Sequence, residues 1–211
     1  MRNQKTKDQR VAGAVGPGIN PGRRKLLVAG AGLGLAAGLH SNAGIAQSAY
    51  GIQGQFAPDI KLDYWIDHNG EAAEFSVLEQ RGKWVLLKCF QNWCPGSHSS
   101  GFPTLQKFSA EFHDHPKVAI AAIQTVFEGF GSNTQDDVRK LQLRYDLPIT
   151  MGHDPGDRNA DDGDHRSQTM KLYRTGGTPW LILINPQGTV VYNHFRVDDE
   201  ELIEYIRVNV A

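Results

Sequence analysis

Cys89 and Cys94 are the only thiols in a chain of 211 residues. Two cysteines exclude a disulfide scaffold and an all-cysteine zinc site. Cys94 lies in the run Phe90-Gln91-Asn92-Trp93-Cys94-Pro95-Gly96-Ser97, where an apolar stretch ends and a helical pattern begins. Backbone N–H groups and the helix dipole converge at such a point and favour negative charge. A thiol placed there ionises readily, with comparable sites lowering its pKa from about 8.5 into the range ~3.5–7.5. The thiolate is the nucleophile, so Cys94 is the candidate catalytic residue. His98, four residues on, shares its helix face, and an imidazolium there would stabilise the thiolate. Ser97 would donate a hydroxyl hydrogen bond to it. Cys89 falls in mid-strand and reads as a small buried hydrophobe.

The elements that hold these residues follow from pattern and punctuation. Residues 57–82 are irregular, with a hairpin turn at Asn69-Gly70. Residues 83–90 and 118–126 are short apolar runs bounded by turn signals, which predicts two buried strands. Residues 97–112 predict a helix interrupted or bent near Pro103, with Leu105, Phe108 and Phe112 on one face. A helix over 134–145 starts with Asp136 and Asp137 near its positive end. Residues 148–151 read as a strand, 152–164 as an acidic loop, and 167–173 as a helix stopped by Gly176-Gly177. Strands over 180–184 and 190–195 flank the turn Asn185-Pro186-Gln187-Gly188, and a helix over 198–208 closes the chain. Alternating strands and helices imply an α/β fold whose central sheet is covered on both faces. The last two strands have no helix between them, so they pair antiparallel and the sheet is mixed.

Charge is unevenly spread. Residues 1–46 hold seven basic side chains and one acid, so the remainder holds 15 basic and 22 acidic residues, a net of −7. An acidic body excludes a general nucleic-acid binder. The basic start leads into LLVAGAGLGLAAGL at 26–39, which is 14 apolar residues. That is too short to span a bilayer, which takes about 20. A basic region, a short apolar region and a small-residue exit read as an export signal, and Arg23-Arg24 resembles the twin-arginine type. This predicts a removable signal over 1–46, a short linker over 47–56 and one domain over 57–211. The location is then periplasmic, with no stable membrane span.

Three segments carry a family resemblance. Arg81-Gly82-Lys83-Trp84-Val85-Leu86-Leu87, Trp93-Cys94-Pro95-Gly96 and Gly177-Thr178-Pro179 resemble the thioredoxin-like redoxins, most closely the exported TlpA-like thiol–disulfide oxidoreductases. Ala57-Pro58-Asp59 and Asn185-Pro186-Gln187-Gly188 fit the same pattern. The resemblance spans about residues 55–210. It implies a thioredoxin-like three-layer sandwich and makes Cys94 the attacking cysteine. It also implies that Pro179 follows a cis bond and faces that cysteine, and that Thr178 pairs with the backbone of a bound polypeptide. Trp93 and Pro95 flank the cysteine as substrate contacts, although core packing alone would account for Trp93 and for Trp180.

Departures from the family pattern bear on the chemistry. Ser97 stands where a second cysteine usually stands, and a serine does not resolve a mixed disulfide. Lys88 replaces an acid, and one residue more than usual separates Cys94 from Pro103. The leading expectation is thiol–disulfide exchange with protein thiols and disulfides, with a small thiol or the partner's own second cysteine as the resolving group. One alternative is a one-cysteine peroxidase. In peroxiredoxins Thr or Ser stands three residues before the cysteine and Pro seven before, where this chain has Gln91 and Leu87. The other alternative is a non-catalytic binding or chaperone module. No cofactor is implied. The loop with His153, Asp154, Asp157, Asp161, Asp162, Asp164 and His165 departs from the calcium-loop pattern, because Asp162 takes the place of the required glycine. It reads as a solvated acidic loop at the rim of the site rather than a metal centre.

Overall fold

Strand β2, Trp84–Phe90, is buried at all seven positions and lies at the heart of the sheet. A computed structural model gives the structure of the protein and describes residues 50–195 and 197–210. The export signal expected over 1–46 lies outside the described residues. Beside β2 run β3, Val118–Thr125, and β4, Thr150–Asp154, all three parallel. On its other side β5, Trp180–Ile184, and β6, Val190–His194, follow antiparallel around the predicted turn. A two-residue strand β1, Trp65–Ile66, pairs antiparallel with β4. The order is β1-β4-β3-β2-β5-β6, a six-stranded sheet that is mixed as the sequence predicts, with β1 added to the five strands expected.

The pleat of β2 sends alternate side chains into two cores. Trp84, Leu86 and Phe90 join one core with α1 (Phe102–Phe112), α2 (Gln135–Arg144) and α4 (Asp199–Val210). Val85, Leu87 and Cys89 join the other, with Tyr173 of α3 (Gln168–Tyr173) and residues 52–77. Helix α2 begins with a capping box in which Thr134 and Asp137 satisfy each other's end of the first turn, consistent with its acidic start.

Three expectations need correction. The linker over 47–56 is, in its described part, bound to the domain. Gly51 N–H donates to Arg174 O, Gly54 N–H donates to Val190 O, and Val190 N–H donates to Gln55 O. The turn at Asn69-Gly70 is present as expected and closes a short hairpin, with Ile66 bridging Ala72, Asp67 N–H donating to Glu71 O and Ala73 N–H donating to Trp65 O. Strand β4 runs three residues past Met151, because Gln124 and Thr125 of β3 offer it parallel partners. His153 and Asp154 therefore leave the acidic loop and are buried. His153 Nδ1 meets Gln124 Oε1 at 2.7 Å, and Asp154 accepts the N–H groups of Gln168 and Thr169 at the start of α3. Finally, α3 is ended by Arg174, which takes a left-handed φ of 51° before the glycine pair is reached.

Candidate active site

Cys94 sits just beyond the end of β2, half-buried, on the turn that opens the following helix. Its carbonyl accepts the N–H groups of Ser97 at 3.0 Å and His98 at 3.4 Å, which fixes the first turn over the sulfur. The thiol lies 3.4 Å from the carbonyl of Thr178. Burial pushes the Cys94 thiol up. Hydrogen bonds from the Thr178 side chain, from the N–H and hydroxyl of Ser97 and from the Gly96 N–H outweigh it, and the thiol stands below its ordinary value. Ser97 itself is fully buried. Its Oγ accepts the Gln91 N–H at 3.3 Å, which leaves the hydroxyl proton for Cys94.

The helix is interrupted before Pro103 rather than at it. Residues Ser97–Gly101 form a π-turn, and α1 starts at Phe102 with Pro103 in its first turn, where a missing N–H costs nothing. A π-turn accommodates one residue more than a regular turn, which is where the additional residue between Cys94 and Pro103 goes. The turn packs on Pro179, whose bond from Thr178 is cis. A Cβ on Gly96 would lie 2.9 Å from Pro179 Cδ, and one on Gly101 would lie 3.0 Å from Pro179 Cβ. Both positions therefore need glycine for the prolyl ring to nest between the turn and the thiol.

His98 does not serve the sulfur. Its Nδ1 meets the Tyr145 hydroxyl at 2.6 Å and its Nε2 meets the carbonyl of Asn92. Both ring nitrogens are therefore engaged away from the thiol. The imidazolium expected to stabilise Cys94 is thus replaced by Thr178, Ser97 and Gly96, and His98 is a positioning residue that ties the 91–94 loop to Tyr145. Tyr145 in turn stacks on Phe102 at 4.2 Å between centroids. His98→Ala should destabilise the fold by about 1–3 kcal/mol through the unpaired groups left behind, read by urea denaturation. It should leave the pH midpoint of Cys94 alkylation in place; a raised midpoint would restore the imidazolium.

Asparagines complete the loop. Asn92 N–H donates to Asn133 Oδ1 at 2.7 Å and Asn92 Nδ2 donates to Ser132 O at 3.0 Å. Trp93 is 44% exposed and lies against Gly129, and Pro95 is exposed beside it. Trp180 is a core residue, and its indole N–H donates to Asn193 Oδ1. The acidic loop reaches this rim, because Phe130 contacts His165 and Arg158, and Gly129 contacts Trp93. Asp164 is paired with Arg166, whose guanidinium holds its carboxyl well below the usual range. Among the described residues no group of three or more His, Cys, Asp or Glu side chains is placed to hold a metal ion. Asn133 and Tyr145 escaped sequence reasoning, since their partners lie about 40 residues or more away in sequence and no local pattern marks them.

Comparison with known proteins adds a family and a fold. Residues 53–193 match the model of the AhpC/TSA family. A crystal structure of a thioredoxin-like superfamily protein superposes with a TM-score of 0.64 at 28% identity, covering 74% of this chain and 96% of that one. The structure of a thiol-disulfide isomerase from Corynebacterium glutamicum gives 0.61 at 26% identity, covering 74% and 97%. A thiol:disulfide interchange protein from Chlorobium tepidum gives 0.54 at 22% identity, covering 75% and 97%, and shows the fold alone. No curated protein sequence matches. The fold is thioredoxin-like.

Proposed function

The chain belongs to the AhpC/TSA family, and from that premise we propose that it is an exported redoxin that exchanges thiols and disulfides with protein partners through Cys94 alone. The observation that carries this reading is the pairing of a half-buried thiol of lowered pKa with a hydroxyl, Ser97, at the neighbouring buried position. The Cys94 thiolate attacks one sulfur of a partner's disulfide. The partner's S–S bond breaks, its other sulfur leaves as thiolate, and Cys94 is joined to the partner in a mixed disulfide. Cys89 faces the opposite core and takes no part. The freed thiol of the partner, or a small external thiol, completes the exchange. An extended partner segment would pair with the backbone at Thr178 beside Pro179, flanked by Trp93 and Pro95.

A peroxidase reading has less support. Gln91, three residues before the cysteine, is buried and turns its amide to the carbonyl of Thr125, while Leu87 is sealed in the second core. Insulin reduction and peroxide consumption, run side by side with dithiothreitol, test the choice. We expect Cys94-dependent adducts on insulin and no peroxide loss above background. Cys94-dependent peroxide loss would establish the peroxidase, and neither activity together with no adduct would establish a binding module.

Export belongs to the same proposal, with residues 1–46 as a cleaved twin-arginine-type signal and a periplasmic mature protein. Among the described residues no helix is long and apolar enough to cross a membrane. Replacing Arg23 and Arg24 together by lysine should retain the protein in the cytoplasm, read by cell fractionation. Normal export of that variant would remove the twin-arginine assignment.

A further inference from the structure

Lys88 breaks the pattern of β2. It shares its face with Leu86 and Phe90, and it is only 1% exposed. Among the described residues its ammonium makes no hydrogen bond and no salt bridge, which is costly for a charge removed from water. Its side chain lines a cavity of about 270 Å³ together with Ser100, Thr104, Phe195, Val197 and Asp199. Asp199 is already occupied by Lys107 at 3.2 Å and by the Thr104 hydroxyl at 2.8 Å. Two ammonium groups against one carboxylate leave one positive charge in excess, on Lys88. Burial draws that ammonium down to about 8 and Asp199 holds it up, so it is charged at neutral pH. Phe195 and Val197 give the cavity an apolar wall, and Phe195 is exposed at its mouth.

The cavity adjoins the reactive thiol. A Cβ on Gly101 would lie 3.6 Å from Lys88 Cε and 3.0 Å from Pro179 Cβ; one on Gly96, across the same prolyl ring, would lie 3.8 Å from Cys94 Sγ. The Lys88 stem and the sulfur thus flank the stretch Gly96–Gly101, whose two glycines both pack on Pro179. We propose that the Lys88 cavity is a carboxylate subsite of the Cys94 site, taking the carboxylate of a small thiol or disulfide whose sulfur exchanges with Cys94. The proposal rests on the reading of Cys94 as an exchanging thiol. In the exchange, the Cys94 thiolate attacks a small disulfide R–S–S–R, the new bond joins Cys94 to one sulfur, and the other leaves as R–S⁻. The disulfide is the oxidant and nothing further is required.

The test measures the rate at which reduced full-length protein becomes modified on Cys94 by four symmetrical disulfides. These are 3,3′-dithiodipropionate and 4,4′-dithiodibutyrate (anionic, of two reaches), bis(2-hydroxyethyl) disulfide (neutral) and cystamine (cationic). Each rate is divided by that of the same disulfide with a small free thiol, which removes intrinsic reactivity. The better of the two anionic reagents should then exceed the neutral one by at least about tenfold, the gain expected of a charge-assisted hydrogen bond, with cystamine slowest. Lys88→Met should bring that ratio to about one. Should that variant fail to fold, Phe195→Glu, an exposed change that sets a competing carboxylate at the mouth, should lower the ratio in the same way. Equal normalised rates in the unmodified protein, or a ratio unchanged in a folded variant, overturn the subsite while leaving Cys94 as the exchanging thiol. No adduct on Cys94 from any of the reagents overturns that reading and the subsite with it.

Discussion

Iodoacetamide at pH 7 should label Cys94 and leave Cys89 unmodified in the folded protein, with the two rates at least about a thousandfold apart. Only the thiolate reacts, so the rate follows its population. Burial pushes the Cys89 thiol up to about 12, with the nearby Asp154 carboxylate adding to the effect. A thiol with a pKa of about 12 is ionised to roughly one part in 10⁵ at pH 7, and one at about 9 to roughly one part in 10². Cys94 stands below its ordinary value, so even without counting steric access the ratio is set at three powers of ten or more. The pH range of labelling differs between the two. Labelling of Cys94 should level off at a pH below that of a free thiol, whereas Cys89 should gain no label until the fold opens. Because the Cys89 thiol is harder to ionise in the fold than in the open chain, its contribution to stability is complete below its ordinary value near 9 and is lost as pH rises towards 12. Site-resolved mass spectrometry across a pH series reads both. Comparable labelling of the two cysteines at pH 7 would place the reactive thiol elsewhere.

What could be read from the sequence was local. The apolar run that became β2 ends in a loop and a helix start, so the location of Cys94 followed from three adjacent segments with no knowledge of the rest. The acidic first turn of α2 and the antiparallel pair β5 and β6 were legible for the same reason, since each is decided within about ten residues. The misreadings share the opposite cause. His98 was assigned to the sulfur by helical spacing, but its ring is claimed by Tyr145, 47 residues on, and by the carbonyl of Asn92. The extension of β4 through Asp154 depends on β3 supplying Gln124 and Thr125 as partners. The π-turn packs on Pro179, far along the chain, at Gly96 and Gly101, a contact that no local pattern marks. Lys88 shows the limit most clearly. Its sequence neighbourhood places it on a buried face, yet only the cavity walls from α1 and α4 show that the carboxylate facing it, Asp199, is shared with Lys107.

Ser97→Cys should convert a protein that depends on an outside thiol to leave the mixed disulfide into one that resolves it itself, raising the rate of insulin reduction by about two orders of magnitude or more, the order associated with supplying an activated nucleophile in place of an external one. Position 97 is three residues after Cys94, its N–H already donates to the Cys94 carbonyl, and its Oγ already bonds to the sulfur. A sulfur in that place reaches disulfide geometry without moving the backbone, since Cα atoms one helical turn apart fall within roughly 4.4–6.8 Å. The new thiol would be fully buried, as Ser97 is, and so harder to ionise than Cys94. Attack by it on the partner-linked Cys94 would therefore be the slow step, and the turnover rate should rise with pH towards the ordinary thiol range. Unaltered protein should accumulate reductant-sensitive adducts on Cys94, Cys94→Ala should form none, and Ser97→Cys should disperse them while forming its own internal disulfide. The Gln91 N–H that Ser97 Oγ accepts would keep a weaker sulfur acceptor, so the loop should hold. Turnover at background in a folded Ser97→Cys protein, with no adduct on Cys94 in the unaltered one, would leave the cleft as a binding surface and not a centre of exchange.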